Sequence, residues 1–206
     1  MKVILNQIVA DDTVHAKWLN TLSFMENAGA RKISACEDPV RTDLIQLKHA
    51  AEEHRHAYYL KKQIGKLAVS GFEYYKEGSL LGGKSSIQYL HRLDLKASRY
   101  LKEQFSLSGQ DLRYAAYLFV TYAIEVRADE LYPIYQDVLS EAGSKVMVKS
   151  IILEEEGHLE EMISQLKGFD AEWERHAQKV LQIEADLFQD WIAELSKEVE
   201  NCDVNN

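Results

Sequence analysis

Residues 153–161 read Leu153-Glu154-Glu155-Glu156-Gly157-His158-Leu159-Glu160-Glu161, and they set a carboxylate, Glu155, three positions before an imidazole, His158. Residues 50–57 read Ala50-Ala51-Glu52-Glu53-His54-Arg55-His56-Ala57 and repeat that spacing at Glu53 and His56. On an α-helix, positions i and i+3 lie about one turn apart on one face. A carboxylate and an imidazole placed this way can bind one metal ion without bending the backbone. Two such helices can bind two.

Helical periodicity surrounds both stretches. Residues 12–36 are predicted to be a helix, with Trp18, Leu22, Met25, Gly29 and Ile33 on one stripe and Glu26 beside it. Asp38-Pro39 reads as the start of a second helix running to Gly65, whose inner face carries Ile45, His49, Glu53, His56, Leu60 and Ile64. That face is apolar at its ends and polar in its middle, the profile of a helix that lines a polar site. Residues 66–110 loosen, then carry a helix over 85–105 with Ile87, Leu90, Leu93, Ala97 and Leu101 apolar. Ser108-Gly109-Gln110-Asp111 resembles a capping box. It opens a helix over 109–140 that shows Tyr114, Leu118, Tyr122, Glu125, Asp129 and Tyr132 on one face, with Pro133 expected to kink or break it. A fourth principal helix spans 144–166, with Val148, Ile151, Ile152, Glu155, His158 and Met162 facing one way. A last helix spans 171–200. Before residue 12 the pattern reads as a short irregular start.

Composition narrows the function classes. The 206 residues suffice for one large domain with a sizeable core, and no linker divides them. Only 2 prolines occur, so helix breakers are scarce. A net charge of −9 argues against binding nucleic acid through its phosphates. No run approaches the ~20 apolar residues that span a bilayer, and no signal-peptide core is evident at Val3-Ile4-Leu5. The 2 cysteines, Cys36 and Cys202, form no Cys-x-x-Cys pair. A reduced cytoplasmic setting is expected.

The single glutamates complete the pattern. Glu26 precedes Glu53 by 27 residues and Glu125 precedes Glu155 by 30 residues, so each half reads Glu and then, about one helix-turn-helix later, Glu-x-x-His. One Glu from each of two helices plus Glu-x-x-His from each of two more is the ligand pattern of di-iron and di-manganese carboxylate bundles. On these residues the chain resembles the ferritin-like di-iron carboxylate superfamily, which includes rubrerythrins, bacterioferritins and di-iron hydroxylases. The resemblance covers residues 12–166. It implies an all-α, ferritin-like four-helix bundle with a long crossover segment containing a helix and an extra C-terminal helix.

It also implies that Glu26, Glu53, His56, Glu125, Glu155 and His158 bind two iron ions, with manganese as the alternative. The expected activity is oxidation by O₂ or peroxide of an organic small molecule that the sequence does not name. No rubredoxin-type Cys-x-x-Cys is present, so electrons would come from an external donor. A homodimer is expected. An iron-oxidising or storage protein and a metal-free helical interaction module are the competing classes. Helical phase adds three residues: His49, one turn before Glu53; Asp129, one turn after Glu125, as acceptor for a ligand histidine; and Tyr122 as a redox or proton donor, against a packed core tyrosine. Glu52 and Glu154 adjoin the assigned ligands but do not stand three before a histidine.

One stretch invites a wrong reading. Gly78-Ser79-Leu80-Leu81-Gly82-Gly83-Lys84-Ser85 matches the phosphate-binding loop pattern. That loop needs a buried parallel strand before it and an α/β sheet around it. Neither is expected here, so the stretch reads as a loop that caps the following helix.

Overall fold

Aspartates open both helices of the first hairpin. Asp11 Oδ1 accepts from the backbone N–H groups of Thr13 and Val14 at 2.8 and 2.9 Å, and starts a helix at Asp12. Asp43 Oδ1 accepts from Ile45 and Gln46 at 2.9 and 3.3 Å and starts the next at Leu44. Each aspartate satisfies two of the donors that a helix start leaves unpaired. The computed structural model describes residues 1–41 and 43–203, apart from the side chains of Glu156, Cys202 and Asp203.

Among the described residues the elements in order are α1 (Lys2–Ala10), α2 (Asp12–Ala35), α3 (Leu44–Ile64), a short 3-10 turn (Glu77–Ser79), α4 (Gly83–Phe105), α5 (Gly109–Glu141), α6 (Lys149–Phe169) and α7 (Trp173–Asp203). The protein is all-α, and no strand occurs among these residues. α2 packs along α3 and α5 along α6, and the two hairpins meet through α3 against α6 and α2 against α5. α4 and α7 cover the second hairpin from outside and pack on each other.

Several features depart from the sequence reading, among them the start of α6, which lies at Lys149 rather than at 144. The start of the chain is a helix: Ile4, Leu5 and Ile8 form a one-sided stripe buried against α2 and α5. α3 begins five residues later than Asp38-Pro39 suggests. Asp38 does accept from Val40 and Arg41, both at 2.8 Å, but that turn is not continued, and the second capping aspartate starts the helix. Ser108 stands at the N-cap of α5 without a side-chain capping bond. Pro133 lies inside α5, which runs on through it to Glu141. The carbonyl that Pro133 leaves unpaired, four residues earlier, belongs to exposed Asp129, where water can satisfy it.

Aromatic stacking anchors the outer pair of helices. Trp191 of α7 stacks between Trp18 of α2 and Tyr89 of α4, with ring centroids 5.8 and 5.2 Å away. Its indole N–H donates to Ser86 Oγ at 2.8 Å. Each aromatic pair contributes on the order of 1 kcal/mol beyond its buried area. The loop before α4 is also held from inside: Lys61 Nζ donates to Asn20 Oδ1 and to the Phe72 carbonyl, both at 2.5 Å.

Candidate metal centre

The residue spacing of the two Glu-x-x-His pairs becomes geometry at the junction of the hairpins. Glu53 and His56 of α3, Glu125 of α5, and Glu155 and His158 of α6 are all buried, and Glu26 of α2 is half-buried beside them. The imidazoles of His56 and His158 lie 6.3 Å apart, centroid to centroid. Two overlapping sets of potential ligand atoms result. Glu53, Glu125, Glu155 and His158 offer one atom each within 4.8 Å of one another, and Glu26, Glu53 and His56 do the same. Glu53 belongs to both sets. Glu155 also faces both ways, with Oε1 3.1 Å from His56 Nδ1 and Oε2 2.9 Å from His158 Nδ1. One carboxylate from each Glu-x-x-His pair is thus placed to serve two ions.

The electrostatics of the cluster favour an added cation. Burial pushes the Glu53 carboxyl well above the usual carboxylate range, and Glu26 beside it pushes further. Burial does the same to Glu125, with Glu155 adding to it. Burial would also raise Glu155, but the hydrogen bond with His158 and the close approach of His56 hold it low. Burial would lower His158, but Glu125 and Glu155 push it up to about 11. Without metal, the cluster is tolerable only with protons shared among carboxylates and imidazoles. Even so, Glu125 Oε1 and His56 Nδ1 are buried with no hydrogen-bond partner. Unpaired buried polar atoms are costly. Both belong to residues of the two ligand sets, and carboxylate oxygen with imidazole nitrogen suits iron or manganese. The residues fit a pair of such ions.

The far sides of both imidazoles are tied down. His158 Nε2 is 2.7 Å from Glu52 Oε2, and His56 Nε2 is 2.8 Å from Glu154 Oε2. Each histidine therefore leans on the residue that precedes the glutamate of the opposite hairpin. A carboxylate there favours a proton on Nε2 and turns Nδ1 toward the glutamate cluster. Arg55 joins the two supports, 2.5 Å from Glu154 and 3.6 Å from Glu52. His49 is buried with its ring 4.9 Å from that of His158; Nε2 meets Glu161 at 2.9 Å and Nδ1 meets the Tyr117 hydroxyl at 3.2 Å. It is absent from both ligand sets.

Two sequence expectations are corrected. Asp129 is exposed on α5, and the acceptors of the ligand-histidine N–H groups are Glu52 and Glu154. Tyr122 is half-buried with its ring edge-on to Trp173 of α7, 6.0 Å away, so it packs against the outer layer. The phenol that reaches the carboxylates is Tyr132, which is buried and donates to Glu26 Oε1. The reason is helical phase. Tyr122 and Asp129 are displaced from Glu125 by ~60° and ~40°, whereas Tyr132, seven residues on, is displaced by only ~20°. That i+7 spacing was available in the sequence. The roles of Glu52 and Glu154 depend on how the hairpins cross and had no signal beyond adjacency.

A cavity of about 360 Å³ opens beside Glu26, Glu53 and Glu125. Its walls come from α2, α4, α5 and α7 and are mostly apolar, including Leu22, Met25, Leu90, Val120, Ile124 and Leu131. Gly29 lines it beside Glu53, where a Cβ would make only an ordinary contact, 4.0 Å from Glu53 Oε2.

The phosphate-loop lookalike has a different occupant. No strand precedes it among the described residues, and the Gly82 N–H at the head of α4 donates to Glu198 Oε2 at 2.7 Å. A carboxylate of α7 already fills the place an anion would take. Gly82 has a positive φ of 73°, and a Cβ there would overlap Leu195, so the glycine serves the turn and the helix contact. No helix among the described residues is long and apolar enough to cross a membrane. Comparison with protein-family models, with curated proteins and with solved structures finds no match.

Proposed function

We propose that the protein is a ferritin-like di-metal carboxylate enzyme that uses O₂ or peroxide to oxidise an organic small molecule, with electrons from an external donor. The observation that carries this reading is the pair of ligand sets joined through Glu53, in which Glu125 Oε1 and His56 Nδ1 are buried without a hydrogen bond. One site would use Glu26, Glu53 and His56; the other would use Glu125, Glu155, His158 and again Glu53. Iron fits the donor set and the redox role, with manganese as the alternative. Bound there, the ions would supply the reductive activation of the oxidant.

The chain's own residues do the rest. Glu52 and Glu154 hold the imidazoles in the ligating orientation. Tyr132 keeps a proton at Glu26 Oε1, where it can be delivered to or taken from the site. The apolar cavity excludes water from the face that Glu26, Glu53 and Glu125 share, which strengthens every charge interaction there. The same cavity favours an organic substrate over iron storage, because a storage site needs only a path for ions.

Elemental analysis of protein purified from iron-supplemented cells tests the reading. Two ions per chain are expected in the parent. Glu155→Ala, which removes the carboxylate facing both histidines, is expected to retain less than about half an ion per chain, as the loss of a shared ligand predicts. A parent with less than one ion per two chains, indistinguishable from Glu155→Ala, would refute it.

A further inference from the structure

The cavity says what kind of molecule the site takes. It runs from an outer end at Ile87 and His91 of α4, both exposed, to an inner end at Glu53 and Glu125, both buried. Its walls are apolar, and the polar groups among them are largely spent. Lys32 pairs with Asp94 at 2.7 Å across the outer end. Arg127 gives Nε and Nη2 to Glu184 at 2.9 and 2.7 Å and Nη1 to Glu130. Tyr89 donates to the same Glu184 at 2.5 Å, Trp191 to Ser86, and Tyr132 to Glu26. The fully buried atoms without a hydrogen bond are acceptors, Asp94 Oδ1 near the outer end and Glu125 Oε1 at the inner end, and the other polar side chains of the wall are the Thr121 hydroxyl and His91 at the exposed mouth. Between its exposed mouth and the carboxylates, the wall thus offers a ligand hydrocarbon and no buried, uncommitted cationic side chain. A charged group held along that wall would lose its water without a partner in exchange.

We infer that the substrate is an uncharged, predominantly hydrocarbon small molecule that enters between α2 and α4 and lies with its inner end against Glu26, Glu53 and Glu125. This rests on the di-metal reading above, which supplies the chemistry at that inner end. A volume of about 360 Å³ falls at the lower end of the range for small-molecule pockets, so the molecule is compact. Any polar group it carries at the outer end is a hydrogen-bond donor, for Asp94 Oδ1.

The test compares two dyes of like size on the full chain loaded with zinc: neutral phenylnaphthylamine and anionic anilinonaphthalene sulfonate. The neutral dye is expected to bind once per chain, at least about tenfold tighter than the anionic one, a difference of about 1.4 kcal/mol. Ala128→Phe on α5 and Leu90→Trp on α4 each fill the cavity from a different helix. Both are expected to weaken the neutral dye at least about tenfold while zinc content and circular dichroism stay at the parent's values. Cobalt in place of zinc is expected to quench the bound dye, because the dye lies beside the ions. Equal affinity for the two dyes, binding unmoved by both substitutions, or no quenching by cobalt would overturn the inference while two ions per chain leave the metal centre standing. A parent that takes up less than one ion per two chains overturns the metal reading itself, and the substrate inference with it.

Discussion

Glu184 of α7 and Glu125 of α5 are both buried glutamates, exposed by 2 % and 3 %. Their surroundings differ. Both Glu184 oxygens are met by Arg127, Oε1 also accepts from Tyr89, and the guanidinium lies 3.9 Å over the Phe188 ring. Glu125 has an oxygen with no partner and stands among three other glutamates, with imidazoles in place of guanidinium. The first arrangement is a finished ion pair that fastens α7 to α5. The second is open: its charges are arranged around a gap rather than around each other. Burial alone would mark both as unusual, and what separates structure from chemistry is whether the polar inventory closes.

The largest expected difference concerns the open cluster. In metal-free protein, Glu53 keeps its proton to higher pH than the unfolded chain does. The folded state then holds more protons, so stability falls as pH rises above about 4.5. Divalent metal reverses this, adding about 4 kcal/mol at a thousandfold excess over Kd, or about 10 °C in Tm. Glu53→Gln is expected to raise the Tm of the metal-free protein at pH 7 and to abolish the metal-induced rise. A substitution that lowers both would mean that Glu53 belongs to a closed network like that of Glu184.

The next effect probes the closed pair. Arg127→Met strands a buried carboxylate and is expected to cost about 3–5 kcal/mol in urea unfolding, with metal content unchanged. Adding Glu184→Leu is expected to recover most of it. If Arg127→Met lowers metal content instead, the two regions are one network and the contrast fails.

The smallest effect compares imidazoles. His15 is buried, 2.6 Å from the Tyr135 hydroxyl, and burial pulls it down to about 4, whereas the carboxylates around His158 push that residue up. The unfolded chain takes up a proton on His15 near 6.5 and the folded chain only near 4. Stability from this residue is therefore present above pH 6.5 and lost as pH falls to 4, about 3 kcal/mol in all. His15→Gln is expected to flatten the pH dependence of urea unfolding in that window. An unchanged slope would place the acid sensitivity elsewhere.

What could be read in the sequence was what depends on short spacing. The i, i+3 pairs and the apolar stripes located the principal helices and the six ligand candidates, because these patterns are set within one or two turns. The role of Asp129 was misread because a four-residue step drifts off the face by ~40°, enough for that side chain to reach solvent. α1 was missed because three buried side chains in nine residues make too short a stripe to stand out. Which of Asp38 and Asp43 caps α3 depends on packing that local chemistry does not encode. The cavity was invisible for the same reason: Leu22 and Leu90 read as core positions on two separate helices, and only their assembly with α5 and α7 leaves a space between them.

Glu52 belongs to the first hairpin and steadies His158 of the second, while Glu154 does the reverse for His56. This exchange makes the two similar halves interdependent. Neither hairpin on its own carries a correctly aimed histidine, so the apparent duplication in the sequence does not divide the protein into two separable modules. A chain cut between α3 and α4 would have to bring its fragments back together before either histidine was held in place.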